Sequence, residues 1–208
     1  KEAKYPRPQN VPSHLLISFD LGKRKVGVAV FLCDEANARL LGAEVVKVEG
    51  EWSEQAMANE VHKSLSPMVS KAFMPVSFVC EWPKKYATAR KFHEDLDHLH
   101  NVGHAIARVF DVSWAETYTP SDWKGNVPKK AHKKRLTREL TLEEKVALTN
   151  HTAEALGVSK EDAQGFLDSE LSHDLWDAIG IGLFAVARTS RWPLEYLPVP
   201  YTQQGQTL

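Results

Sequence analysis

The stretch LLISFDLGKRKVGVAV, residues 15–30, places a single carboxylate, Asp20, inside a run that is otherwise hydrophobic. Gly22 and a basic triplet follow this acid, and a second apolar run begins at Val26. Two runs rich in Val, Leu and Ile that are separated by a short Gly- and Lys-containing segment are typical of paired strands. The pattern therefore predicts a buried pair of strands with an acid at the end of the first, where burial is costly unless a cation or hydrogen bonds compensate the charge.

The size and composition of the chain indicate one compact domain. Its 208 residues are 43% hydrophobic and 25% charged, which allows a sizeable core. Apolar runs fall short of the roughly 18 residues of a membrane span, and the first residues lack the pattern of a signal peptide. We expect a soluble, cytoplasmic protein without a membrane partner. Cys33 and Cys80 lie in apolar, strand-like segments, which favours a role as small hydrophobic residues.

The formal net charge of −1 conceals an uneven distribution. Residues 123–138 carry seven Lys or Arg residues and no acid, whereas residues 139–177 carry ten acids against two lysines. A basic stretch of this kind is a candidate for contact with phosphates, although such a stretch is also typical of a solvated loop.

The order of apolar and polar segments predicts an α/β fold. We expect strands near 14–20, 26–33, 40–48, 76–81 and 112–118, and helices near 53–72 and 87–110. This order favours a mixed five-stranded sheet, with three antiparallel strands followed by parallel strands, flanked by helices. The Pro-rich segments 1–13 and 191–208 are predicted to be an arm and a tail around a domain at 14–190.

The second half of the chain is predicted to be mainly helical. Residues 120–138 contain several breakers and lysines, so we expect mostly loop there. Thr141 and Glu144 form a capping-box pattern, and residues 141–171 are a candidate helical insertion. The apolar face predicted for the helix that follows the capping box consists of Leu142, Val146, Thr149, Ala153 and Leu156. A last helix is predicted to begin at Ser172.

Four acids occupy positions that can converge. Asp20 and Glu81 close the first and fourth predicted strands, and Asp174 and Asp177 lie three apart at the start of the last helix, where they share one face. Gathering four anions is unfavourable without cations, and a site made only of oxygen ligands suits hard ions such as Mg²⁺ or Mn²⁺. Two such ions would clamp the attacking and leaving oxygens of a phosphodiester.

Five motifs resemble the ribonuclease H-like superfamily and, within it, the RuvC-type Holliday junction resolvases. They are SFDLG at 18–22, VSFVCEWP at 76–83, NVGHAIARVF at 101–110, YTPSDWKG at 118–125 and HDLWDAIGIGLF at 173–184. The resemblance covers most of residues 14–188. It departs from the family pattern in the basic segment, where Pro128, His132 and two Lys pairs stand in place of glycines. This departure leaves the sequence and junction preference open.

The resemblance implies a homodimeric endonuclease that uses two Mg²⁺ or Mn²⁺ ions to nick four-way DNA junctions symmetrically. Asp20, Glu81, Asp174 and Asp177 match the four metal-ligand positions, and Lys133 is expected near the cleaved phosphate. His173 is a further catalytic candidate, as a proton donor or a group that orients water, or else a residue of the helix-capping turn. The residues expected to contact DNA are Trp82, Lys84, Lys85, Tyr86, Lys124, Lys129, Lys130, Lys134 and Arg135. Trp82 and Tyr86 could stack on an unpaired base or be ordinary core aromatics.

Other interpretations stay open at this point. Asp20 and Gly22 fit a plain turn, and Asp174 fits a residue that only favours the helix dipole. His93, Asp97, His100 and His104 form a polar helix stripe that is more typical of a solvated or interface face than of a zinc site. Alternative functions are a phosphotransferase of the sugar-kinase and actin superfamily, another ribonuclease H-like nuclease that acts on RNA or RNA–DNA hybrids, and a non-catalytic DNA-binding protein.

Overall fold

The structure is a computed structural model that describes residues 13–34, 37–72, 74–82, 93–110, 112, 114–125 and 127–189. The predicted arm, most of the predicted tail, and Lys84, Lys85 and Tyr86 lie outside the described residues. None of the helices in the described part combines the length and the apolar character that a bilayer crossing requires.

The predicted mixed sheet of five strands is confirmed. Its strands are β1 (His14–Leu21), β2 (Lys25–Cys33), β3 (Ala38–Lys47), β4 (Val76–Glu81) and β5 (Trp114–Tyr118). They lie in the order β3-β2-β1-β4-β5, in which β1, β2 and β3 are antiparallel and β4 and β5 run parallel to β1. The parallel strands β1 and β4 therefore end at the same edge of the sheet.

Seven helices are found in the described part of the chain. They are α1 (Glu54–Ala72), α2 (His93–Val109), α3 (Pro120–Trp123), α4 (Lys129–Glu139), α5 (Leu142–Leu156), α6 (Lys160–Asp168) and α7 (His173–Ala185). A 3₁₀ turn, Glu170–Ser172, precedes α7. The predicted helices at 53–72 and from Ser172 onward are thus present, and the described part of the predicted helix 87–110 is α2.

Alternation along the strands gives the sheet two apolar faces. Ile17 and Phe19 of β1 belong to the core that α1 and α2 cover, whereas Leu16 belongs to the core that α7 covers. Ser18, on the same side as Leu16, donates a hydrogen bond to the Ala178 carbonyl of α7, 2.8 Å away. Because side chains two apart share a face, Asp20 lies on the α7 side.

Small residues let α7 approach the sheet closely. Gly27 of β2 is the register partner of Asp20, and a Cβ at this position would overlap the backbone carbonyl of Asp174. A Cβ at Gly182 would likewise overlap the ring of Phe31. The glycines therefore set how near the first turn of α7 lies to the end of β1.

The segment 120–138 is not mostly loop, so that prediction was wrong. Residues 120–123 form α3, and α4 begins directly after Pro128. Pro128 precedes the helix rather than interrupting it, which is compatible with its lack of an N–H group. His132, Arg135 and Leu136, at i, i+3 and i+4, form the buried face of α4.

The apolar face predicted for the helix after Thr141 is also wrong. The Thr141–Glu144 capping box is present, but Leu142, Val146 and Leu156 are 77%, 53% and 49% exposed. The buried side chains of α5 are instead Glu144, Leu148 and Thr152. A buried polar face is possible here because Glu144 accepts hydrogen bonds from Arg188 and from the Leu40 N–H group.

Candidate active site

The sheet and α7 bring the four predicted acids to one edge of the sheet. Phe19 of β1 pairs with Cys80 of β4, so Asp20 and Glu81 follow neighbouring register positions on parallel strands. Val79 packs on the α7 side, and Glu81, two residues later, shares that side. Asp174 and Asp177 lie in the first turns of α7, and the Asp174 backbone lies against Gly27 beside Asp20. Four carboxylates from three elements therefore lie at this edge of the sheet, near enough for the charges of the other three to act on Asp20.

Burial and the charges of the other three acids both act on Asp20. Burial raises the pKa of Asp20 well above its ordinary value, and the charges of Asp177, Glu81 and Asp174 raise it further. The charge of Lys124 opposes this rise without cancelling it. Asp20 is therefore a partly buried carboxyl, and the positive charge near its ionised form is too small to offset burial and the neighbouring acids.

Glu81 is held by an aromatic donor. The indole Nε1–H of Trp123 donates a hydrogen bond to Glu81 Oε2 over 2.9 Å. Burial raises the pKa of Glu81, and the hydrogen bond from Trp123 and the charge of Lys124 lower it only in part. The carboxyl of Glu81 is thus oriented by a neutral donor in a partly buried position.

Asp174 and Asp177 each have a lysine partner. The ammonium group of Lys25 forms an ion pair with Asp174, and that of Lys124 forms one with Asp177. His173 Nε2 lies 2.8 Å from Asp174 Oδ1. The two lysines supply two positive charges to a cluster of four carboxylates, so the cluster keeps a negative balance when all four acids are ionised.

A buried histidine lies beside Asp177. His132 is 2% exposed, and its Nε2 lies 3.8 Å from Asp177 Oδ1. Burial, together with the charges of Arg135 and Lys124, lowers the pKa of His132 to about 3. The imidazole is therefore neutral near pH 7 and adds no positive charge to the cluster.

The donor set fits hard divalent cations. Carboxylate oxygens are the ligands that Mg²⁺ and Mn²⁺ prefer, and a nearby cation would relieve the repulsion that raises the pKa of Asp20. Within the described residues, no group of three or more His, Cys, Asp or Glu side chains already has the spacing that would hold an ion. The lysine ion pairs of Asp174 and Asp177 engage oxygens that an ion would need.

The basic residues predicted to contact DNA differ in their placement. Lys129, Lys130 and Lys134 are exposed on α4. Lys133 instead points its Nζ at the Ser169 carbonyl, 3.3 Å away, and lies 5.8 Å from the centre of the Trp176 ring. Arg135 is 7% exposed and lies against His132. Of the lysines in the basic segment, Lys124 is the one whose described contacts reach the acids.

Trp82 packs against α2 in the described structure. Its ring stacks on His100 with centroids 4.1 Å apart and meets His104 edge-on at 5.5 Å. A Cβ at Gly103 would lie 3.2 Å from the Trp82 ring, so the helix passes close to it. The predicted polar stripe of α2 is thus partly an aromatic contact surface; the side chain of His93 lies outside the described set.

The order and direction of the strands match the arrangement that the motifs imply, with three antiparallel strands and then two parallel ones. The fold is ribonuclease H-like. Within this fold, the four acids lie at the ends of β1 and β4 and at the start of α7.

No family model and no curated protein matches this chain. Among solved structures it is similar to Thermus thermophilus RuvC in complex with a Holliday junction substrate, with 18% identity, a TM-score of 0.44, and coverage of 85% of this chain and 98% of that chain. It is also similar to the fowlpox virus resolvase in complex with Holliday junction DNA, with 14% identity, a TM-score of 0.45, and coverage of 83% and 97%. A third similar structure is the yeast mitochondrial Holliday junction resolvase, with 11% identity, a TM-score of 0.44, and coverage of 84% of this chain and 79% of that chain.

Three residues of the cluster were not predicted from the sequence. Lys25 belongs to the basic triplet behind Asp20, but its ion pair depends on where α7 lies. Trp123 precedes Lys124 in the YTPSDWKG motif, which is the only sequence signal for its contact with Glu81. His132 was noted as a departure from the family pattern, and its burial beside Asp177 follows from the helical form of α4.

Proposed function

We propose that this chain is a metal-dependent DNA endonuclease that resolves four-way junctions as a homodimer. The observation that supports this most strongly is the convergence of Asp20, Glu81, Asp174 and Asp177 from β1, β4 and α7. Burial raises the pKa of the partly buried Asp20, and the charges of the other three acids raise it further, as expected for a site that is completed by cations.

The four acids would hold two Mg²⁺ or Mn²⁺ ions. Bound there, these ions would supply Lewis-acid chemistry, which would activate a water molecule for attack and offset the charge on the leaving oxygen of the phosphodiester. Trp123 fixes the orientation of Glu81, and Lys25 and Lys124 balance part of the charge of Asp174 and Asp177. His173 touches Asp174 and is 39% exposed, which supports a role in exchanging a proton with solvent at this edge.

The exposed lysines of α4 are the proposed surface for the DNA backbone. Lys129, Lys130 and Lys134 follow in sequence from Lys124, which reaches the acid cluster. His132 of α4 is buried and contacts the Trp123 ring, so the helix is fixed to the site. Phosphate contacts by lysine provide affinity that does not depend on sequence and that falls as salt rises.

The proposal is tested by cleavage of matched substrates. The protein is incubated with a synthetic four-way junction, a linear duplex and an RNA–DNA hybrid in Mg²⁺ or Mn²⁺, beside Asp20→Asn. We expect paired, symmetric nicks in the junction by the wild type, and a loss of at least about 100-fold in the variant. Preferred cutting of the hybrid would instead identify an RNA-directed nuclease, and junction binding without cutting would identify a non-catalytic DNA-binding protein.

A further inference from the structure

The indole of Trp123 is completely buried next to the acid cluster. It is 0% exposed, and its Nε1–H group points at Glu81 Oε2, 2.9 Å away. Burying an indole N–H group is favourable only when it finds an acceptor. Here the acceptor is a carboxylate of the proposed metal site rather than a backbone carbonyl, and a bond to an ionised acceptor is stronger than a bond between neutral groups.

The surroundings leave the indole little freedom. The Trp123 ring meets the His132 ring at 5.1 Å in an edge-on contact. On the α7 side, a Cβ at Gly180 would lie 2.5 Å from Trp123 Cζ3 and 3.2 Å from His132 Nε2. The absence of a side chain at residue 180 therefore makes the space that the indole fills, and the ring is held where its N–H group reaches Glu81.

The residue after Trp123 is also tied to the cluster. Lys124 forms an ion pair with Asp177, so two consecutive residues contact two acids that come from β4 and α7. The start of α3 is fixed by the Thr119 N–H group, which donates to Asp122 Oδ2 over 2.8 Å. This short element therefore links the strand-borne and the helix-borne parts of the cluster.

We propose that Trp123 is a positioning residue for Glu81: its buried N–H group fixes the carboxylate in the orientation that divalent ions require. This inference rests on the proposed metal-dependent function. It assigns a role to a tryptophan that does not itself supply a metal ligand, and it predicts that the loss of one N–H group weakens ion binding while the fold is retained.

The test compares the Mn²⁺ affinity of two tryptophan-to-phenylalanine variants. Each variant is titrated with Mn²⁺ in the absence of DNA, and binding is monitored by electron paramagnetic resonance. Trp123→Phe keeps a ring in the cavity and removes the donor. The matched control is Trp176→Phe, because Trp176 is also buried and lies in the sequence between Asp174 and Asp177. Its Nε1–H group donates to the Leu167 carbonyl and not to an acid of the cluster. We expect about a 10-fold weaker Mn²⁺ affinity for Trp123→Phe and a change of less than about 2-fold for the control.

Two further measurements separate positioning from simple destabilisation. Circular dichroism and thermal unfolding in EDTA should show that both variants are folded. In a Glu81→Gln background, Trp123→Phe should weaken Mn²⁺ binding no further, because the tryptophan acts through Glu81. An equal loss of affinity in both backgrounds, or equal Mn²⁺ affinity in the wild type and Trp123→Phe, would overturn the inference alone. A wild-type protein that binds no Mn²⁺ would overturn the proposed function as well.

Discussion

At the scale of single residues, Asp20 is the side chain on which burial and charge act together. Its pKa is raised in the folded protein by burial and by three neighbouring acids. An acid whose pKa is higher in the folded than in the unfolded state favours folding less as pH rises above its unfolded pKa, near 4. In the absence of metal, ionised Asp20 therefore lowers the free energy of unfolding.

Asp20→Asn should accordingly stabilise the metal-free protein near neutral pH. We expect the free energy of unfolding at pH 7 in EDTA to rise by at least about 1 kcal/mol, because the variant removes one partly buried charge from a repulsive cluster. Urea unfolding at pH 7 and below pH 4 checks this. The gain should disappear at the lower pH, where Asp20 is protonated in both states; a variant that is no more stable than the wild type at pH 7 would contradict the account.

The residue scale also shows which parts of the site the sequence could reveal. The four acids were found because each lies at the end of an apolar strand or in the first turns of a helix. The partners of these acids are set by tertiary structure: Lys25 reaches Asp174 only because α7 lies against β2. The position of Lys133 near the scissile phosphate, which the resemblance implies, stays a prediction, and the structure puts Lys124 beside Asp177.

At the scale of elements, the contact between β2 and the start of α7 determines the shape of the cluster. Gly27 pairs with Asp20, and a side chain at this position would overlap the Asp174 backbone. The contact is between two backbones, so no flexible side chain can move to make room. The position of Asp174 relative to Asp20 therefore depends on the missing Cβ of residue 27.

Gly27→Ala should displace the first turn of α7 and reduce both stability and cleavage. We expect a loss of about 1–3 kcal/mol in the free energy of unfolding, which is typical of overpacking, and a large loss of junction cleavage. Gly165→Ala is the matched control, because a Cβ there meets nothing within 4 Å and alanine favours the helix. Urea unfolding and a cleavage assay on both variants check this, and equal behaviour of the two would refute the proposed contact.

The two elements that sequence patterns predict incorrectly differ in their physical cause. In 120–138 the breakers predict a loop, but Pro128 stands at the boundary of α4 and leaves the interior of the helix regular. In α5 the periodic apolar stripe was expected to be buried, yet Glu144 takes the inward position because hydrogen bonds and Arg188 satisfy its charge. Tertiary partners of this kind are distant in sequence and leave no local pattern.

At the scale of the whole molecule, one ion pair connects Arg188, near the last described residue, to the edge strand β3 and to α5. Arg188 donates to Glu144 Oε1 and Oε2 at 2.5 and 2.8 Å and to the Ala38 carbonyl at 3.0 Å. Burial alone would raise the pKa of Glu144, but hydrogen bonds from Arg188, Leu40 and Thr141 outweigh burial and lower it. The ion pair thus connects α7, β3 and α5.

Glu144→Gln should therefore cost stability in a pH-dependent way. An acid with a lowered pKa contributes stability above its unfolded pKa, near 4.3, and loses it as pH falls through the folded value. We expect the variant to lose roughly 3 kcal/mol at pH 7, since it leaves a partly buried arginine unpaired, and much less at pH 3. Urea unfolding at both pH values measures this; an identical loss at the two would contradict the assignment of the effect to the Glu144 charge.

The central claim is that four carboxylates from β1, β4 and α7 form one site for divalent cations. Diffraction from crystals grown with Mn²⁺, collected where manganese scatters anomalously, tests it most directly. The account predicts anomalous peaks between Asp20, Glu81, Asp174 and Asp177, with the ammonium groups of Lys25 and Lys124 moved off the oxygens that bind the ions. A map without a peak at this edge, in which both lysines keep their carboxylate partners at saturating Mn²⁺, would contradict it.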